Sequence, residues 1–270
     1  MPLDAQEPIT IRASSLSLLF DCPAHWAAKH LEGKQMPTSS RALLGKAIHA
    51  STATYDQAVI DGDNVSIDDA AAAAVDAIQR PDEEVIWSDD DNPRAMEGVA
   101  LSLHRRYCME IAPQQIYVAV EAKCERLVFT DIGIALTGTV DRVRLLNDGH
   151  GIADLKSGKS AVSAAGEVAT SGHALQMGSY ELLAEHACGI SITAPAQIIG
   201  MQTGKTPAGQ RIGTGLIHGA RDLLIGDGET PGALEVAAKL IRSGLFYGNP
   251  KSMLCGQKFC PIYQTCKYRR

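Results

Sequence analysis

The chain reads Gly138-Thr-Val-Asp141-Arg-Val-Arg-Leu-Leu-Asn147-Asp-Gly149-His-Gly-Ile-Ala-Asp154-Leu-Lys156. An Asn-Asp-Gly turn at Asn147–Gly149 predicts a β-hairpin that folds its two arms back on each other. Asp141 and Asp154 then meet at one end of the sheet. Residues i and i+2 of a strand share a face, so Lys156 points the same way as Asp154. Two carboxylates and an ammonium on one spot suit a divalent cation with an activated water beside it, an arrangement for phosphodiester cleavage. Each acid taken alone reads equally well as solvent-facing charge at a strand end. The apolar neighbours Val140, Val143, Ile152 and Leu155 mark these strands as partly buried, however, and a charge beside them needs a partner or a metal.

Outward from this hairpin the character is mixed α/β. Upstream, Ser14–Leu31 reads as a helix starting near a Ser-Ser cap, followed by a polar stretch Glu32–Ser40 and an apolar segment holding Gly45-Lys-Ala-Ile-His49. Ile67–Gln79 predicts a helix capped by Ser66, Pro81–Pro93 an acidic loop, and Ala95–Ile111 a helix ended by Pro113. From Gln115 the pattern changes to strands at Ile116–Glu121, Arg126–Thr130, Ile134–Arg144 and His150–Lys156. A Gly/Ser/Ala-rich linker then leads to a helix at Gly172–Cys188, strands at Ala196–Gln202 and Arg211–Ile217, and helical segments through Phe246. The expectation is one elaborated domain: residues 1–113 mainly helical, 114–217 the catalytic sheet, 218–270 a helical C-terminal part.

Bulk composition restricts the function classes. Hydrophobic residues make up 45% and charged residues 21%, ordinary for a globular protein. No run of eighteen apolar residues occurs, and the N-terminal residues lack the basic and apolar regions of a signal peptide. A cytoplasmic location with reduced thiols is the expectation. A net charge of −6 argues against a generally basic nucleic-acid coat, although a local basic groove is compatible with it. Arg142, Arg144, Lys159 and Lys205 could line a phosphate path or be ordinary solvated charge. Trp26 and Trp87 could stack bases or simply pack.

Four segments together resemble the RecB-like branch of the PD-(D/E)XK nuclease superfamily. They are Gly45 to His49, Gly138-Thr-Val-Asp141-Arg, Ile152-Ala-Asp154-Leu-Lys156-Ser-Gly and Gln176-Met-Gly-Ser-Tyr180, in the family's order and across Ser14 to Cys266. The resemblance implies a restriction-endonuclease-like core, a central mixed sheet flanked by helices with N-terminal helical additions. It also implies Mg²⁺ or Mn²⁺ held by His49, Asp141 and Asp154, with Lys156 catalytic and Gln176 and Tyr180 bordering the site. Gln176 and Tyr180 stand four apart and so share a helical face. Glu121 falls where relatives carry a further acid; it either assists a metal or pairs with Lys123 or Arg126.

Seven cysteines form the second constellation, three of them in Cys255-Gly-Gln-Lys-Phe-Cys260-Pro-Ile-Tyr-Gln-Thr-Cys266. Thiols this closely spaced in a reducing compartment suggest metal binding before disulfides. The AddB and CRISPR-adaptation nucleases look similar. That likeness implies a [4Fe–4S] cluster on Cys22, Cys255, Cys260 and Cys266, clamping the two ends of the chain. Four residues separate Cys255 from Cys260 where those relatives commonly have two, which keeps zinc open as the alternative. Cys108, Cys124 and Cys188 read as core thiols. The implied activity is a DNA exonuclease on single strands or duplex ends, in recombination, repair or phage DNA processing and with a recombination or replication protein as partner. The rivals are a partner-dependent endonuclease or processing subunit and a zinc-clamped, non-catalytic DNA-binding protein.

Overall fold

A computed structural model describes residues 7–88, 91–147 and 149–269. Residues 1–6, Asp89 and Asp90 of the stretch read as an acidic loop, Asp148 of the expected Asn-Asp-Gly turn, and Arg270 lie outside them. The chain enters on β1 (Ile9–Arg12), passes a 3-10 turn and forms α1 (Leu16–Asp21) and α2 (Pro23–His30). Where one helix over Ser14–Leu31 is expected, the helix breaks at Cys22, whose φ of −148° and ψ of 89° lie outside the helical region. Pro23 causes the break, because the residue before a proline is pushed out of the helical region. The Ser-Ser cap does not form either. Ser15 Oγ instead donates to Arg12 O and accepts from Trp26 Nε1.

β2 (Thr38–Ser39) leads into α3 (Ser40–Asp61), whose first turn is capped by Ser39 accepting from the Ala42 amide and whose end is Gly62 at φ 74°. α4 (Ile67–Gln79) starts at the expected cap, Ser66, which accepts from the Asp69 amide. β3 (Val85–Ile86) pairs with β2 inside the stretch read as loop. α5 (Pro93–Arg106) is capped by Asn92 with Pro93 in its first turn, and runs on through a π-type turn, Tyr107–Ile111. β4 (Ile116–Phe129) is continuous where two strands are expected. Its register shifts between Tyr117 and Ala119 and between Cys124 and Leu127 are what break the alternation in the sequence. β5 (Ile134–Leu146) and β6 (Gly149–Gly158) make the hairpin, with Leu146 opposite Gly149. α6 (Ala174–Cys188), β7 (Ala196–Gln202), β8 (Arg211–Ile217), α7 (Ala220–Ile225) and α8 (Ala233–Ser243) complete the elements.

Six strands form one mixed sheet. β4 lies antiparallel along the whole of β5, while β6 runs parallel to β7 and β7 antiparallel to β8. The other edge of β5 is shared: β1 pairs in parallel with Ile134–Thr137, and β6 pairs with Arg142–Leu146. Residues 138–141 have neither partner, so β5 and β6 part company there. Helices cover both faces. α1, α2, α6, α7 and α8 bury Val140, Val143 and Ile152; α3, α4 and α5 bury Ala153, Leu155, Ile199 and Met201. This is the α/β architecture of a restriction-endonuclease-like core. Among the described residues no helix is long and apolar enough to cross a membrane.

Candidate active site

Charge gathers where β5 and β6 separate. The last ladder pair is Arg142 with Ala153, so Asp141 and Asp154 are the first residues beyond it. Asp141 Oδ2 accepts the Leu155 amide at 2.9 Å, taking the place of the missing ladder acceptor. Asp154 is 1% exposed, and its Oδ2 lies 2.5 Å from Lys156 Nζ. The i, i+2 relation read from the sequence therefore brings Lys156 onto Asp154.

α3 supplies the third member. His49 Nδ1 stands 3.3 Å from Asp141 Oδ2, and its Nε2 3.1 Å from the carbonyl oxygen of Leu155. One turn earlier, a Cβ on Gly45 would meet Ser157 Oγ at 3.0 Å; the glycine lets the helix lie this close to β6. β4 supplies the fourth. Glu121 falls opposite Asp141, between the pairs Val120–Arg142 and Ala122–Val140. It has φ 49°, the one non-glycine residue with positive φ among those described. Such backbone strain in a side chain-bearing residue concentrates at functional sites. Ligand-type atoms of His49, Glu121 and Asp141 all lie within 4.8 Å of one another. Asp154 is outside that set, its carboxylate engaged by Lys156.

Electrostatics give the site its character. Partial burial, then the Asp141 carboxylate, push Glu121 up to about 7, with the Arg142 guanidinium opposing. Burial, then Asp141, raise Asp154 as well, with Lys156 opposing. Three acids thus share too little positive charge, and a cation relieves that deficit. The donor set, two carboxylates and an imidazole beside the Leu155 carbonyl, fits Mg²⁺ or Mn²⁺, the imidazole favouring Mn²⁺.

α6 borders the lysine. Gln176 Nε2 donates to Tyr180 OH at 2.9 Å, and Tyr180 is held above its ordinary range by burial and by the nearby Asp154. Gly138 makes room for this helix, since a Cβ there would stand 3.0 Å from Leu183 Cδ1 and 3.5 Å from the Tyr180 ring. His173, three residues before Gln176, is held low by burial and by Lys156; it belongs to the site's rim, although the sequence reading passed over it. Its spacing from Gln176 places it on the same helical face and was the available signal.

Of the four basic residues that could line a phosphate path or be solvated charge, Arg142 and Arg144 are neither, being buried. Arg142 is wholly buried, with Nε 2.6 Å from Asp56 Oδ2 and Nη1 donating to Asp141 O at 2.8 Å. Tyr107 OH donates to the same Asp56 oxygen at 2.6 Å. Arg144 is buried too and donates to Pro195 O. Their alternation along a strand buried on both faces puts them inside. Trp26 is core, packed with Phe246 at 6.3 Å. Cys108 and Cys124 are buried, and Cys188 is half-buried at the end of α6.

Cys22, Cys255, Cys260 and Cys266 line one recess between the break at Cys22 and the C-terminal segment. The Asn249 amide donates to Cys22 Sγ at 3.4 Å, and burial, with the neighbouring thiols adding to it, raises Cys260. The segment is latched by Asn249 Nδ2 to Asp21 O at 2.9 Å and Ser252 Oγ to Asp21 Oδ2 at 2.5 Å.

The chain belongs to the PD-(D/E)XK nuclease superfamily, whose family model matches residues 10–267. Family membership makes it a nuclease of a kind that uses divalent metal ions, and the His49–Glu121–Asp141 set can hold one. No curated protein matches it. A solved structure titled "Crystal structure of SSO0001" aligns over 98% of this chain and 89% of its own, at 12% identity and a TM-score of 0.44.

Proposed function

We propose that the chain, acting as one domain, is a divalent-metal-dependent deoxyribonuclease of the RecB-like branch. Its substrate on this reading is single-stranded DNA or duplex ends, in recombination, repair or phage DNA processing. The observation that carries it is the cluster at the β5–β6 split: His49, Glu121 and Asp141 within 4.8 Å, beside the Asp154–Lys156 pair. Mg²⁺ or Mn²⁺ held there supplies Lewis-acid polarisation of the phosphodiester and a water of lowered pKa. Lys156 orients the attacking water and offsets charge growing on the phosphate. Asp154 fixes the ammonium at its working position, and Tyr180, buttressed by Gln176, walls the same side. The test is cleavage of labelled single-stranded and blunt duplex DNA with Mn²⁺. Degradation from an end is expected in the wild type; cleavage that persists unchanged in Lys156→Ala contradicts the assignment.

In this reading Cys22, Cys255, Cys260 and Cys266 hold a [4Fe–4S] cluster. Zinc takes the same four thiolates and is the alternative occupant. The four thiols line one recess that joins the break at Cys22 to the C-terminal segment, and a four-thiolate set of this kind is what a [4Fe–4S] cluster takes. Anaerobically purified protein is expected to be brown and to contain iron; colourless protein with one zinc per chain overturns the cluster.

A further inference from the structure

After Glu235 the chain carries seven Lys and Arg and not one Asp or Glu, whereas the 235 residues up to that point carry 31 acids against 18 basic residues. The positive charge is thus concentrated in the last eighth of an acidic protein. Lys251, Lys258, Lys267 and Arg269 have no acidic partner within 4.0 Å among the described residues, unlike Lys46, Arg106, Arg142 and Lys156, which are all paired. Exposed aromatic rings stand among them: Tyr247 is 52% and Phe259 51% exposed, and Tyr268 lies under the Lys267 ammonium at 5.1 Å. Arg269 donates to the backbone oxygens of Tyr263 and Gln264, which spend none of its charge; cations without an acidic partner, interleaved with open aromatic faces on a segment without helix or strand, are unusual for a surface that stays solvated.

This surface is fixed relative to the nuclease site. Ala24 donates its amide to Tyr247 O, and the Asp21 latch holds Asn249 and Ser252. His25 on α2 lines the same recess as Tyr268 and Arg269. From there positive groups continue along α2 and β1. Lys29 stands in the last turn of α2, and Arg12 ends β1 in register with Thr137, one residue before Gly138, whose Cα faces the Tyr180 ring that borders the Lys156 site.

We infer that the segment Leu245–Arg269 is a platform for single-stranded DNA, stacking bases on Tyr247 and Phe259, seating phosphates on Lys251, Lys258, Lys267 and Arg269, and leading the strand past Arg12 to Lys156. Stacking is sequence-tolerant and needs unpaired bases, which selects a single strand over a duplex. Charge complementarity selects nucleic acid over the protein's own acidic surface. The inference rests on the nuclease reading of the Lys156 site and adds where that site's substrate is held.

The test uses the full chain and a fluorescein-labelled twenty-nucleotide dT strand, with binding followed by anisotropy in EDTA across a salt series. Tyr247→Ala/Phe259→Ala is expected to weaken binding by about 10-fold or more with the salt slope unchanged. Lys251→Ala/Lys258→Ala/Lys267→Ala is expected to lower the slope of log K against log salt by about 2. Both variants replace exposed side chains and are expected to melt as the wild type does. With Mn²⁺, both should raise KM for cleavage of the same strand and leave kcat intact, because binding is lost equally in ground and transition states. Variants that bind dT as the wild type does overturn the platform, as does tighter wild-type binding to a blunt duplex than to dT. If the wild type binds dT through the segment but cleaves nothing, the nuclease reading fails and the platform stands.

Discussion

Two charge clusters lie between α3 and the sheet, one wholly buried and one open at Glu121, and they solve the same problem in opposite ways. In one, Asp56 receives Arg142 Nε and Tyr107 OH, both at 2.6 Å, and Thr52 Oγ1 lies 3.2 Å from Arg142 Nη2. In the other, Glu121, Asp141 and Asp154 crowd together with Lys156 on one of them and Arg142 Nη1 3.6 Å from another. The first cluster has its partners within the fold. Burial raises an acid in each: Asp56, where Arg142 and Tyr107 pull back, and Glu121, where the Asp141 carboxylate adds to burial and takes it up to about 7; the second cluster is the one short of positive charge. Burial of acidic groups therefore does not mark a functional site by itself; burial with the charge left unbalanced does.

Lys156→Ala should have the largest effect. It removes the ammonium from the unbalanced cluster and is expected to slow Mn²⁺-dependent cleavage by about 100- to 10,000-fold. Breaking the balanced cluster should act on stability instead. Arg142→Met leaves Asp56 buried without its cation, and urea unfolding is expected to show a loss of about 3–5 kcal/mol, largely recovered in Arg142→Met/Asp56→Leu.

Glu181 on α6 is intermediate, since its Arg221 is shared with Glu185, at 3.9 Å and 2.8 Å respectively. Burial, only partly offset by Arg221, pushes Glu181 up to about 7 from an ordinary 4.5. Between those values the folded chain holds a proton that the unfolded chain releases, so this group's contribution to stability falls as pH rises across the window. Denaturation with a chelator present should show wild type losing of order 2–3 kcal/mol relative to Glu181→Gln between pH 4.5 and pH 7. The smallest effect is steric. Gly138→Ala presses on Leu183 and Tyr180 and should cost about 1 kcal/mol in urea unfolding.

Much of the unbalanced cluster was legible in the sequence because its geometry is local. An Asn-Asp-Gly turn signal and strand alternation suffice to put Asp141, Asp154 and Lys156 at one end of a hairpin, and helical caps such as Ser66 are read residue by residue. Glu121 was left between a metal role and a pairing with Lys123 or Arg126, because its place depends on the β4–β5 register, set by bulges and long-range packing. Asp56 was missed for a different reason: it follows His49 and Thr52 at helical spacing on α3, yet an acid on a helix reads first as solvated. Four-residue β1 has too little pattern to detect, and its strand identity comes from pairing with Ile134–Thr137. The break at Cys22 was written in Pro23 and overridden by the apolar periodicity on both sides.

The central claim is that the unbalanced charge at the β5–β6 split is a cation site. Calorimetric titration of the wild-type protein with Mn²⁺, repeated on Asp141→Asn, tests it most directly. The account predicts binding in the wild type that weakens by about 10-fold or more in the variant. Equal Mn²⁺ affinity in the two proteins would contradict it.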